Sequence, residues 1–204
     1  MSSVLHIRPS AEDYLAIEQA STYKSEYLEG EIWAMAGASE AHVTIAGNLF
    51  ILFKQALKGS PCRVYIADMK VKVATANAFF YPDVFVTCEP REASNTLFKQ
   101  HPVMIAEVLS PSTEAFDRGK KFSIYRQLSS LQYYWLIDSQ SMAIDCFMRG
   151  TNNDWILHSV NAPEDVLTFE CLPGQYPLSA IYDDVEFAEV LEFSMNHTDQ
   201  SENS

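Results

Sequence analysis

At 204 residues the chain has the length of one domain with room for a tail, and 48% hydrophobic with 12% aromatic residues is enough apolar side chain for a substantial core, which excludes global disorder. No apolar run reaches the roughly 18 residues that a membrane helix needs, which excludes a helical membrane anchor. The net charge of −13, from 14 Lys and Arg against 27 Asp and Glu, weighs against tight non-specific nucleic-acid binding, because phosphate contacts need cations; it leaves room for a local basic patch or an acidic metal site.

Met1 to Asp13 contains acids and lacks the apolar core of a secretion signal, so the expected location is the cytoplasm. Ser10 followed by Asp13 resembles a capping box without its usual Glu and predicts a helix from Ala11 to Ala20. From Ser25 to Ala36, two short β runs flank Glu29-Gly30 and predict a hairpin. Glu40 to Lys58 is the strongest predicted helix, since Ile45, Leu49, Leu52, Phe53 and Ala56 recur at spacings of three and four; Gly59-Ser60-Pro61 ends it. Met69, Val71 and Val73 alternate with Lys70 and Lys72 as in a half-buried strand. Val84 to Thr87 follows Tyr81-Pro82-Asp83 as another strand.

Val103 to Leu109 is nearly all apolar and reads as a central strand buried on both faces. Gly119 to Leu128 reads as a helix with Asp117 as N-cap. Tyr133–Ile137, Ala143–Met148 and Trp155–Val160 read as strands, with a polar turn over Gly150–Asp154 and another turn at Leu172-Pro173-Gly174. The last eleven residues, 194–204, carry no branched aliphatic or aromatic side chain and read as a disordered tail, leaving a single domain over residues 1–193. Cys62, Cys88, Cys146 and Cys171 form no C-x-x-C pair, so buried free thiols are expected rather than a zinc site. The whole reads as an α/β (α+β) fold, a sheet with helices packed on it.

Glu107 is the most informative residue. It lies inside the apolar run, and a buried carboxylate needs a metal ion, a cation or a raised pKa to compensate it. On the residues alone, a salt-bridged strand end is the open alternative. Asp83 follows Pro82 and opens another apolar run, which places it near a strand end. If the two strands are neighbours the carboxylates converge, and two carboxylates plus water suit Mg²⁺. No G-x-S-x-G elbow, P-loop or G-x-G-x-x-G occurs, so serine-hydrolase and nucleotide-cofactor chemistry are unsupported.

Several stretches together resemble one known family: Tyr27-Leu28-Glu29-Gly30-Glu31-Ile32, the helix opening with Ser39 and His42, Tyr81-Pro82-Asp83-Val84, Glu107-Val108-Leu109-Ser110-Pro111-Ser112-Thr113, Asp117-Arg118-Gly119-Lys120-Lys121, Tyr134-Trp135-Leu136-Ile137-Asp138 and Leu172-Pro173-Gly174. The resemblance, over roughly Tyr27 to Phe187, is to the Uma2 family, a bacterial group common in cyanobacteria and placed in the PD-(D/E)xK, restriction-endonuclease-like superfamily. It implies a mixed central sheet flanked by helices, with an N-terminal β-hairpin, and a Mg²⁺- or Mn²⁺-dependent endonuclease acting on nucleic acid, DNA before RNA; a fold-retaining module without catalysis is the alternative. Asp83 and Glu107 match the two metal-binding acids. Leu109 stands where the superfamily lysine usually lies, and Lys121 on the following helix matches the family's replacement. Lys120 is the near alternative; adjacent helical residues point about 100° apart, so one of the two faces the site. Glu31 and His42 match recurrent polar positions, Glu31 as a third carboxylate. Two strands of a duplex favour two sites and so a homodimer, for which Phe79, Phe80, Tyr81, Tyr133, Tyr134 and Trp135 offer apolar surface unless they are core.

Overall fold

The computed structural model describes residues 8–170 and 172–187; the predicted tail lies outside them. Helix α1 (Ala11–Ala20) opens on the reciprocal cap read from the sequence: Ser10 Oγ accepts from the Asp13 N–H, and the Asp13 carboxylate accepts from the Ser10 N–H. Strands β1 (Ser25–Leu28) and β2 (Glu31–Ala34) pair antiparallel with Leu28 opposite Glu31, so the turn is Glu29-Gly30 alone. Both turn residues have positive φ, 49° and 89°, the two-residue geometry whose twist suits a hairpin. Gly30 is required twice over, because a Cβ there would stand 2.5 Å from the Arg8 Cβ. Helix α2 (Glu40–Ala56) starts at the Ser39 cap and buries Ile45, Leu49 and Phe53, as its spacing predicts.

Next in the chain come β3 (Arg63–Ile66), β4 (Lys70–Val73), β5 (Ala78–Phe80), β6 (Val84–Thr87), β7 (Phe98–Lys99) and β8 (Pro102–Leu109). A helical segment follows, made of α3 (Glu114–Phe116), a π turn over Asp117–Lys121 and α4 (Phe122–Tyr125). Then come β9 (Tyr133–Asp138), β10 (Ile144–Arg149), β11 (Trp155–Val160), the short pair β12 (Val166–Leu167) and β13 (Tyr176–Pro177), and α5 (Leu178–Ile181).

Six strands form a mixed sheet in the order β11-β10-β9-β8-β6-β3, in which only β8 and β9 run parallel. On one face Met104, Ala106 and Val108 of β8 meet Ile45, Leu49 and Phe53 of α2; on the other, Ile105 and Leu109 meet Phe80, Phe85, Tyr125 and Leu136. The strand is therefore buried on both sides, as its apolar run predicts. The fold agrees with the mixed sheet flanked by helices, with one addition. The hairpin does not stand apart but enters a second, five-stranded sheet, β2-β1-β5-β4-β7, because β1 is buried along its whole length and pairs with β5 as well as β2. This sheet and α4 together cover the face that α2 does not.

Three expectations are corrected. Lys70 does not face solvent: it is buried and donates to the Tyr81 hydroxyl at 2.8 Å, which in turn donates to Glu18 Oε1 at 2.6 Å. Asp117 is not an N-cap. The helix begins three residues earlier, where the Glu114 N–H bonds the Ser110 carbonyl, so Asp117 sits inside it and is buried. Cys62 and Cys88 are disulfide-bonded rather than free, because the β3–β6 register that puts Arg63 opposite Thr87 puts these two opposite each other one step on. Cys146 is a buried free thiol as expected, and Cys171 lies outside the described residues. Phe79, Phe80, Tyr81, Tyr133, Tyr134 and Trp135 are all buried, the core reading of the two that the sequence left open, and offer no dimer surface. Among the described residues no helix is long and apolar enough to cross a membrane.

Candidate active site

Between β5 and β6 the chain leaves one sheet and enters the other through Tyr81-Pro82-Asp83. The β6–β8 ladder pairs Val84 with Ala106, so one step further the same register sets Asp83 opposite Glu107. Glu107 shares its face of β8 with Ile105 and Leu109 and is 3% exposed. The two acids are clamped across the strands by backbone N–H groups. The Asp83 N–H donates to Glu107 Oε2 at 3.3 Å, and the Val108 N–H donates to Asp83 Oδ2 at 2.8 Å. Asp83 Oδ1 meets His42 Nε2 at 2.9 Å, and these two side chains, 21% and 16% exposed, are the open side of the cluster. Ser39 sets His42 in place by capping the helix through the His42 N–H.

The π turn delivers the cation. Lys121 Nζ lies 3.0 Å from Glu107 Oε1, 3.3 Å from Glu26 Oε1 and 3.5 Å from Asp117 Oδ1. Tyr125, one turn on, donates its hydroxyl to Glu107 Oε1 at 3.2 Å. Glu26 comes from β1 and also accepts from the Tyr81 N–H at 2.9 Å. Four acids therefore face one buried ammonium and one imidazole. Burial pushes the Glu107 carboxyl well above its ordinary value; Lys121 opposes this, but Asp117, Asp83 and Glu26 reinforce it. Asp117 is raised by burial too, against the pull of Lys121. For Lys121, burial favours loss of the proton, yet Glu107, Glu26, Tyr125 and Asp117 hold it on, and its pKa ends well above normal. The ammonium is the fixed charge, and a carboxylate proton is the variable one. Tyr125 stays a neutral donor, because burial and Glu107 both raise its phenol.

Sequence reasoning brings Asp83, Glu107, Lys121 and His42 together, and the structure places all four in one cluster. Lys120 is exposed and points away, as adjacent helical positions require. Glu31 is not in the cluster: it is 62% exposed at the hairpin's turn end, paired with Arg8 at 3.1 Å. The hairpin's contribution is Glu26, opposite Trp33 and so further from the turn on the same hairpin face. Glu26, Asp117 and Tyr125 were missed. Asp117 and Tyr125 had a signal, each lying four helical residues from Lys121. Glu26 had only its acid in a short apolar strand.

Among the described residues no group of three or more His, Cys, Asp and Glu side chains is arranged to hold a metal ion. The donor set still fits a hard divalent cation. Mg²⁺ takes one or two carboxylates and fills its shell with water and phosphate oxygens, which is what Asp83 and Glu107 offer, and the surplus of buried carboxylates calls for added positive charge. Neither of two surface clefts, about 210 Å³ and about 560 Å³, is lined by a member of the cluster.

Comparison with known proteins gives a family and a fold. The Uma2 family model, described as "Putative restriction endonuclease", matches residues 11–180. The uncharacterised protein slr1290 of Synechocystis sp. is 37% identical over 178 residues, 87% of this chain and 93% of that protein. The uncharacterised protein sll1609 of the same organism is 35% identical over 150 residues, 72% of this chain and 85% of the relative. A solved structure from Anabaena variabilis, described as "a putative nuclease belonging to DUF820", superposes with a TM-score of 0.70 at 15% identity, covering 85% of this chain and 97% of that one, a likeness of fold.

Proposed function

This chain belongs to the Uma2 family, and from that membership and the acid–lysine cluster we propose that it is a divalent-metal-dependent endonuclease hydrolysing nucleic-acid phosphodiester bonds, with DNA as substrate. The observation that carries the reading is Lys121 Nζ at 3.0 Å from Glu107, beside the Asp83 clamp. Leu109 shares Glu107's face where the superfamily lysine usually stands, and it is packed into the apolar core. The helix above supplies the ammonium instead.

Asp83 and Glu107 would hold Mg²⁺ or Mn²⁺. A divalent ion there supplies a Lewis acid and lowers the pKa of a bound water. Lys121 sets a positive charge beside the acids to offset charge developing on the phosphate. Tyr125 and the Asp83 N–H fix the Glu107 carboxylate, and Asp83 holds His42 on the open side. The raised Glu107 pKa means that proton and metal compete for one carboxylate, so metal affinity rises with pH. The proposal includes a cytoplasmic homodimer, whose two sites would serve the two strands of a duplex.

A second reading, a nuclease fold that binds without cutting, is favoured by the net charge of −13 and by Leu109 in place of the usual superfamily lysine. One preparation separates the two. With Mn²⁺, nicking of supercoiled DNA is expected, and Glu107→Ala or Asp83→Asn should lower it about 100-fold or more. If every single- and double-stranded DNA stays intact and Glu107→Ala changes nothing, the enzymatic reading is lost. Elution from gel filtration as a monomer at micromolar concentration would remove the dimer.

A further inference from the structure

Of the chain's 14 Lys and Arg side chains, ten are held by a carboxylate, an aromatic ring or a backbone carbonyl. Among the described residues Lys54, Lys58, Arg63 and Lys120 have no such partner. Three of these four line one cleft of about 560 Å³, between the C-terminal end of α2 and the start of β3, and no carboxylate lines it. All three side chains are exposed. The acids of the adjoining cleft, which Arg63 also borders, are committed elsewhere. Glu89 is bound by Arg91 at 2.8 Å, and Glu92 by Thr87 at 2.9 Å and His101 at 3.0 Å.

In a chain where acids outnumber bases 27 to 14, an acid-free pocket of cations calls for a reason. Lys54, in the last turn of α2, and Lys58, two residues past its end, add like charge to one cleft. The negative end of α2 accounts for Lys54, which lies in its last turn, but not for an arginine on a strand across the cleft. We propose that this cleft binds the sugar-phosphate backbone of DNA; the choice of DNA rests on the nuclease reading of the acid–lysine site. The geometry suits a strand that reaches both places. From His42 to its end at Ala56, α2 rises roughly 21 Å at about 1.5 Å per residue, the length of about six base pairs. Arg63 pairs with Thr87, at the far end of the strand that begins beside Asp83. The Cys62–Cys88 disulfide ties the residue before Arg63 to the residue after that same strand, so the backbone that carries Arg63 is anchored there.

The test is fluorescence anisotropy of a labelled duplex of roughly 20 base pairs, chosen to exceed the span of about six base pairs. It is run in EDTA on Asp83→Asn protein, so that no cleavage intrudes. Adding Lys54→Ala, Lys58→Ala and Arg63→Ala should weaken binding about 10-fold or more and flatten the log–log salt dependence by about 2 to 3. The thermal midpoint should be unchanged, since all three side chains are exposed. Equal affinity and slope with and without the three substitutions would overturn the proposal. So would binding of inorganic phosphate, lost in the triple variant, by a protein that ignores the duplex. Because no step needs catalysis, a protein that binds in this way but never cuts would sink the nuclease reading and keep the cleft; one that cuts, with binding indifferent to the substitutions, would do the reverse.

Discussion

Lys121 is the one ammonium among Glu26, Glu107 and Asp117, so the two kinds of substitution at this cluster should behave oppositely. Lys121→Met leaves three buried acids without their cation, and removing one partner of a buried ion pair costs roughly 3 to 5 kcal/mol. Urea unfolding should show that loss, and Mn²⁺ should restore part of it. Glu107→Gln keeps the shape and leaves Lys121 with two acids, so stability should stay within about 1 kcal/mol of the parent while cleavage is lost. The same residue sets a pH dependence. A carboxyl whose folded pKa lies above its unfolded value of 4.5 contributes stability that is complete below 4.5 and lost as pH rises through the folded value. In EDTA the thermal midpoint should therefore fall as pH rises from the acid side, and Glu107→Gln should flatten that slope. A slope that is the same in the parent and in Glu107→Gln would contradict the assignment.

Elements with one local cause were readable from the sequence. The α1 cap, the Glu29-Gly30 turn and the apolar face of α2 each depend on residues within a few positions of one another. The helix after β8 was misplaced because Asp117 before Gly119 looks like a cap, while the true start lies in the Ser110–Thr113 turn, whose hydroxyls contact one another. A π turn adds a residue to the helical repeat and is often found at functional sites; here it sets Asp117 and Lys121 on one side while Arg118 leaves for Glu114 and Asp145. No spacing rule on this sequence announces it. At the start of α2 the cap and the site meet, since Ser39 orders the turn that carries His42. Ser39→Ala should cost about 1 kcal/mol and loosen His42 from Asp83, read as a broadened or shifted His42 imidazole resonance. An unchanged resonance and an unchanged midpoint would show that the cap is idle.

At the scale of the whole molecule, what the sequence could not show was the second sheet, because β1 meets β5 across some fifty residues and that pairing leaves no periodicity to read. The same long-range pairing hid Glu26, whose importance appears only when β1 is laid beside Tyr81 and under Lys121. The acid–lysine cluster is thus stitched from one sheet, the other sheet, the crossing between them and a helix over the seam. Such a site has no counterpart in the unfolded chain, where its four acids are strangers to one another. A divalent ion that reads the assembled cluster therefore also reads whether the molecule is whole. At a concentration 100 times its Kd it would deepen the folded well by about 2.7 kcal/mol. Melting curves taken with and without Mn²⁺ should separate for the parent and coincide for Asp83→Asn. A state in which the layers have parted would let the ion go before any secondary structure is lost, so that metal release becomes the earliest report of unfolding.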